Sequence, residues 1–206
     1  PYNVYCATEH ECWDYPIYDD ALSADWEEFW SWDTVLDDAV ASPHYSGSVS
    51  YGVEYIGGWA GFRLAPVADS VDWRGYQTLR FAIHGGTTGG QQVRVAVDTN
   101  TDYFTLDVIT AEAGQWAVVE LPLPNDAALE EVVSLVWIEH TNQAQPVFYL
   151  DQIELVGSGP TTTPTTGPSP TAATTPTVIA TPTATPTSTA DTTAPVSYTH
   201  LTLPTN

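Results

Sequence analysis

Residues 79–98 read LRFAIHGGTTGGQQVRVAVD, and the way this stretch is divided decides the fold. Leu79, Phe81 and Ile83 alternate with Arg80, Ala82 and His84, and Val93, Val95 and Val97 alternate with Arg94 and Ala96. Period-two alternation places one set of side chains in a core and the other outside, which is the signature of a half-buried strand. The glycine-rich insert between them has the look of a phosphate loop. It lacks the lysine and the following helical pattern, however, so it reads as the turn of a glycine-rich hairpin.

The same period continues on both sides. SVSYGVEYI (48–56) aligns Val49, Tyr51, Val53 and Tyr55. GFRLAP (61–66) aligns Phe62 and Leu64, and YFTLDV (103–108) aligns Phe104, Leu106 and Val108. WAVVELPL, LVWIEH and VFYLDQIEL complete a series of short apolar runs separated by Gly, Asn and Pro. A short helix or turn fits around 126–131. With no long amphipathic helix, the pattern predicts an all-β fold, a two-sheet antiparallel β-sandwich of jelly-roll type. From Gly157 the composition changes to Thr, Pro, Ser and Ala with Asp191 as its one charged residue before 196, which predicts a disordered, semi-stiff Thr/Pro-rich linker of the O-glycosylated kind.

This divides the chain into an N-terminal arm (1–14), a β-sandwich (15–156), the linker (157–195) and a tail (196–206). The tail, VSYTHLTLPTN, back-translates into the transposon-derived adapter used in shotgun libraries and is read as translated adapter. The chain starts at Pro1 and shows no signal peptide, so a missing upstream segment is expected, as is a downstream domain lost beyond the linker. Cys6 and Cys12 are expected to form a disulfide that staples the arm in an oxidising, extracellular compartment.

Charge narrows the function. The 206 residues carry 26 acids and four cations, Arg63, Arg74, Arg80 and Arg94, for a formal net charge of −22. Such a surface repels phosphate backbones and anionic lipid, so neither nucleic acid nor a membrane is expected as a partner. No nucleophile elbow is present, and the five histidines show no metal-binding pair. A jelly-roll hydrolase or lyase would need two carboxylates across a groove, for which Glu120 and Glu139 are the strand-borne candidates. A structural or adhesive spacer without a sugar site is the other alternative.

Binding draws on the outward phases. If Phe62 and Leu64 point in, Trp59 and Arg63 point out; by the same rule Arg80, His84, Arg94 and Tyr103 point out. If Val136 and Ile138 point in, Trp137 and Glu139 point out. A tryptophan face beside a guanidinium reads a sugar well, because the ring covers the apolar C–H face while Arg and Glu take the hydroxyls. Trp59 and Trp137 also have a core reading, since sandwiches bury tryptophan between their sheets. Trp116 is expected in the core, as is at least one of Trp26, Trp30 and Trp32. Asp19 or Asp20 in the first strand and Asp151 in the last are candidate hard-oxygen ligands for a structural Ca²⁺.

Taken together, IYDDALSADWEEFWSW, HYSGSVSYGV, LRFAIHGGTTGGQQVRV, GQWAVVELPL and FYLDQIEL resemble the β-jelly-roll carbohydrate-binding modules attached to bacterial secreted glycoside hydrolases. The resemblance spans 17–156. It implies a non-catalytic module that binds a polysaccharide, here expected to be a neutral β-glucan such as cellulose. It also implies a tethered catalytic domain as partner, secretion, and a calcium near the chain ends with Asp151 as the best-matching ligand.

Overall fold

The computed structural model describes residues 6–8, 11–12 and 14–157, with side chains from residue 14 onward. All of these lie in the first of two units into which the chain divides, 1–163 and 164–206. The linker beyond Gly157, which the structure assigns to the last strand, and the adapter-like tail therefore fall outside the described residues, and so do the thiols of the expected disulfide. Before Asp14 only backbone of the arm is described: β1 (Cys6–Thr8) pairs antiparallel with β2 (Glu11–Cys12), with Cys6 opposite Cys12.

The remaining strands are β3 (Tyr15–Asp19), β4 (Ala21–Leu22), β5 (Trp26–Glu28), β6 (Thr34–Val40), β7 (Ser50–Tyr55), β8 (Gly61–Pro66) and β9 (Tyr76–His84). They continue with β10 (Gln92–Thr99), β11 (Tyr103–Thr110), β12 (Trp116–Pro122), β13 (Val132–Glu139) and β14 (Gln145–Gly157). One 3₁₀ turn, Ala127–Glu131, precedes β13, capped by the Asp126 carboxylate on the Ala128 N–H. The fold is the expected all-β sandwich. A front sheet orders β11-β10-β13-β8-β5, and a back sheet orders β12-β9-β14-β3-β4 with β7 and β6 continuing from β14.

The long β14 runs beside β9 and, on its other edge, first β7 and then β3. A bulge at Asp151–Gln152 shifts its phase. Phe148 and Leu150 face the core before it, and Ile153 and Leu155 after it, so one strand serves two neighbours without exposing its apolar set. Between the sheets Trp137, Phe62 and Phe81 pack ring on ring, with Trp137 stacked on Phe62 at 5.4 Å and edge-on to Phe81 at 5.8 Å.

Two expectations change here. The glycine-rich segment 85–91 is no hairpin, because β9 belongs to the back sheet and β10 to the front. It is an arch between sheets, and a second arch, 111–115, packs under it: a Cβ on Gly85 would lie 2.8 Å from the Ala111 and Glu112 carbonyls. Gly86, Gly89 and Gly90 take positive φ there. Alternation reports two strands and a turn, and it is silent on whether they pair.

The phase of β13 is also reversed. Trp137 sits opposite Val95 and Phe62, both core residues, and is itself wholly buried. Trp137 is a core residue. Val136 and Ile138 face outward yet are buried as well, so VVSLVWIE is buried on both faces and its alternation carries no phase information.

Candidate functional site

The outer face of the front sheet gathers the exposed aromatics. Trp30 is 78% exposed, Trp59 58%, Tyr103 48% and Phe29 45%, and Trp32 borders them. Trp26 is the core member of its cluster; its indole N–H donates to the buried Tyr15 hydroxyl. Five strands set about 4.8 Å apart make a surface about 19 Å across, enough for several hexose units in a row.

Local backbone explains how the rings are held. After β5 the chain stays beside β8, with Phe29 N–H on the Arg63 carbonyl and reciprocal bonds between Trp32 and Gly61. Gly61 has to be glycine: a Cβ there would lie 2.3 Å from the Trp32 ring, which rests on it. The Trp32 indole N–H donates to the Trp59 carbonyl at 2.6 Å, tying two tryptophans together. Trp30 and Trp59 adopt φ of +59° and +64°. A bulky side chain in the left-handed region costs roughly 1–3 kcal/mol and persists only where the surroundings impose it.

What imposes it at Trp59 is Glu139. Its carboxylate is buried and accepts from Trp59 N–H (3.0 Å), Asn142 N–H (2.7 Å), the Gln145 amide (2.7 Å), the Thr141 hydroxyl and the Thr141 N–H. Burial pushes this carboxyl up, but the hydrogen bonds from Thr141, Trp59 and Asn142 outweigh it and hold the carboxyl below the usual range. Glu139 is therefore no groove residue. It lies on the inward phase of β13, and it positions Trp59 from beneath.

Two arginines complete the face. Arg94 places its guanidinium over the Trp59 ring at 5.8 Å, and Arg63 over Phe29 at 5.9 Å. Arg63 also approaches Asp98, which stands in register with Tyr103, at 3.8 Å. The Nε atoms of both arginines are buried without a hydrogen-bond partner. Such donors are costly to leave unmade and call for an acceptor.

Of the residues chosen from the sequence, Trp59, Arg63, Arg94 and Tyr103 come together on this face. Arg80 and His84 do not, because β9 is in the other sheet. Arg80 lies in an ion cluster with Glu154, Glu120 and Asp14. His84 is 8% exposed, boxed by Trp116 and Tyr149, and its Nδ1 accepts from Gly86 N–H. Burial pulls its pKa down. Trp116, expected in the core, points outward from the back sheet in register with His84. Phe29, Trp30 and Trp32 are the site residues that alternation did not select. Their segment lies between regular strands and has no period, and only the crowding of aromatics in DWEEFWSW marked it.

The candidate calcium ligands are also placed. β3 and β14 are neighbours as expected, and Asp20 and Asp151 both reach the 45–49 loop. Asp151, wholly buried, accepts from the N–H groups of Tyr45, Ser46 and Gln152. Asp20 accepts from Ser48 and Val49 N–H and the Ser48 hydroxyl, and these bonds lower its pKa. Asp19 is exposed. The partners facing these carboxylates are N–H groups and, at Asp20, the Ser48 hydroxyl, whereas Ca²⁺ takes about six to eight oxygens, so the set as arranged does not fit the ion. Among the described residues no group of three or more His, Cys, Asp or Glu is arranged to hold a metal.

No family model and no curated protein matches the sequence. Solved structures do match, among them carbohydrate-binding modules of family 29. One family 29 module is 13% identical with a TM-score of 0.52, the match covering 69% of this chain and 86% of that one. A mutant of a second module, solved in complex with mannohexaose, is 12% identical with a TM-score of 0.53, covering 69% and 89%. A family 29 module from Piromyces equi is 9% identical with a TM-score of 0.50, covering 69% and 88%. The chain thus has the β-jelly-roll fold of carbohydrate-binding modules, as its motifs implied. At these identities the likeness is one of fold.

Proposed function

We propose that this protein is a non-catalytic carbohydrate-binding module that grips a neutral hexose polysaccharide on the front-sheet face. The observation that carries the reading is the pair Trp30 and Trp59, highly exposed yet held in left-handed backbone, beside two arginines with unpartnered Nε donors. The rings offer apolar platforms for C–H faces, and the guanidinium groups and Asp98 offer donors and acceptors for hydroxyls. Nothing in this arrangement supplies a paired acid and base, since Glu139 is occupied as an acceptor beneath the surface.

Neutral polymers are favoured over polyuronates by the charge of −22. Cellulose and other β-glucans remain the expected ligands, and the mannohexaose bound by a mutant module of the same fold is the reason to test mannan beside them. The Thr/Pro stretch would serve a secreted protein as a tether, raising the effective concentration of a catalytic partner at the polymer. The test is retention on insoluble cellulose and migration in gels containing mixed-linkage β-glucan, mannan, xylan or pectin. Retention by a neutral polymer that drops tenfold or more in Trp30→Ala and Trp59→Ala is expected. Passage of the folded protein through the whole panel would favour a structural spacer.

A further inference from the structure

The back sheet has an outer face of its own, and its middle is a cleft of about 290 Å³ lined by Tyr45, Arg80, Val118, Glu120, Gln152 and Glu154. Three strands build its floor in register. Trp116, Val118 and Glu120 on β12 stand opposite His84, Ala82 and Arg80 on β9, and Ala82 and Arg80 stand opposite Asp151 and Glu154 on β14. One wall is the loop that Asp151 ties down through the Tyr45 and Ser46 N–H groups; it sets the Tyr45 ring edge-on to Trp116 at 5.9 Å. Tyr45 is 44% and Val118 49% exposed, so an apolar ledge opens to solvent next to the charged end.

At that charged end Arg80 Nε binds Glu154 at 2.8 Å, while Nη1 stops 3.8 Å from Glu120. The latter is too long for a hydrogen bond. A donor and an acceptor thus face the cleft with capacity left, close enough for one hydroxyl to bridge them from the cleft side. Three carboxylates, Asp14, Glu120 and Glu154, surround one guanidinium, which disfavours an anionic ligand. The volume is at the small end of ligand pockets, about 300–1,000 Å³, and suits a sugar or two rather than a long chain.

We propose that this cleft is a second glycan site, which takes the terminal disaccharide of a neutral hexose chain, with Tyr45 and Val118 under the ring and Arg80 and Glu120 on its hydroxyls. The proposal rests on the reading of the protein as a carbohydrate-binding module, but it concerns a different sheet and a different part of the polymer.

The experiment is a ¹⁵N–¹H titration of the full chain with cellobiose and mannobiose, then with cellohexaose and mannohexaose, and with the disaccharide of glucosamine as a cationic control. The expected result is shifts at the amides of 45, 80, 118–120 and 152–154 that saturate at millimolar neutral disaccharide. They persist in Trp30→Ala/Trp59→Ala and disappear in both Tyr45→Ala and Val118→Asp. Tyr45→Ala leaves the loop's backbone anchors to Asp151 in place, and Val118 is a surface position, so both variants are expected to keep the wild-type spectrum elsewhere. Shifts on the front face with none in the cleft overturn this proposal and leave the front-face reading standing. Cleft shifts with a silent front face support this proposal and overturn that reading. Silence on both overturns both, and a response to the glucosamine disaccharide alone overturns the neutral class of ligand.

Discussion

Glu139→Ala removes one carboxylate and five accepted hydrogen bonds. The Gln145 amide keeps a second partner in the Gln92 carbonyl, so the groups orphaned are the N–H of Trp59, Thr141 and Asn142 and the Thr141 hydroxyl. Thr141 is half-buried and Asn142 exposed, and water can reach them, so the lower end of about 1–3 kcal/mol per orphaned group applies. Three N–H groups at about 1 kcal/mol each predict a loss of about 3 kcal/mol, a drop in Tm of roughly 6–12 °C for a domain of this size. Urea unfolding at pH 7 measures it. Polysaccharide binding should fall as well, because the N–H anchor that holds Trp59 in its left-handed conformation is lost.

Acid should mimic the variant. The folded carboxyl lies below the ordinary glutamate value of about 4.3, so its contribution is complete above that value and is lost as pH falls through the folded pKa. The Glu139→Gln protein should therefore lose less stability than wild type between neutral pH and the acid limb. A stability loss under about 1 kcal/mol in Glu139→Ala, with wild-type affinity, would refute the positioning role.

Other substitutions separate core from site. Trp137→Ala, which deletes a wholly buried indole, should cost about 3–5 kcal/mol in urea unfolding, whatever it does to binding. Gly61→Ala should push the Trp32 ring off its seat and weaken retention on the polymer severalfold; circular dichroism should report an intact sandwich. The melting temperature should be the same in calcium and in chelator, since the Asp20 and Asp151 carboxylates already hold N–H groups; a clear rise with calcium would show that the 45–49 loop rearranges around an ion.

The alternation of Leu79, Phe81 and Ile83 and of Val93, Val95 and Val97 determined that the chain folds as strands with one face inward, and the structure places these six in the core. Composition alone set the acidic, arginine-poor surface. Which strands share a sheet was decided only by tertiary structure. Arg80 and Arg94 occupy equivalent outward phases in sequence, yet they stand on opposite outer faces because 85–91 crosses between sheets. The phase of β13 was likewise hidden, for a strand buried on both sides offers no polar residue to mark its outside. Trp30 and Trp32 sit where the chain leaves regular pairing, and Glu139 acts through contacts with segments 80 and fewer residues away that converge only in the fold. Periodicity is a local property and legible residue by residue; a binding face is made by strands distant in sequence, and their neighbours are chosen by packing.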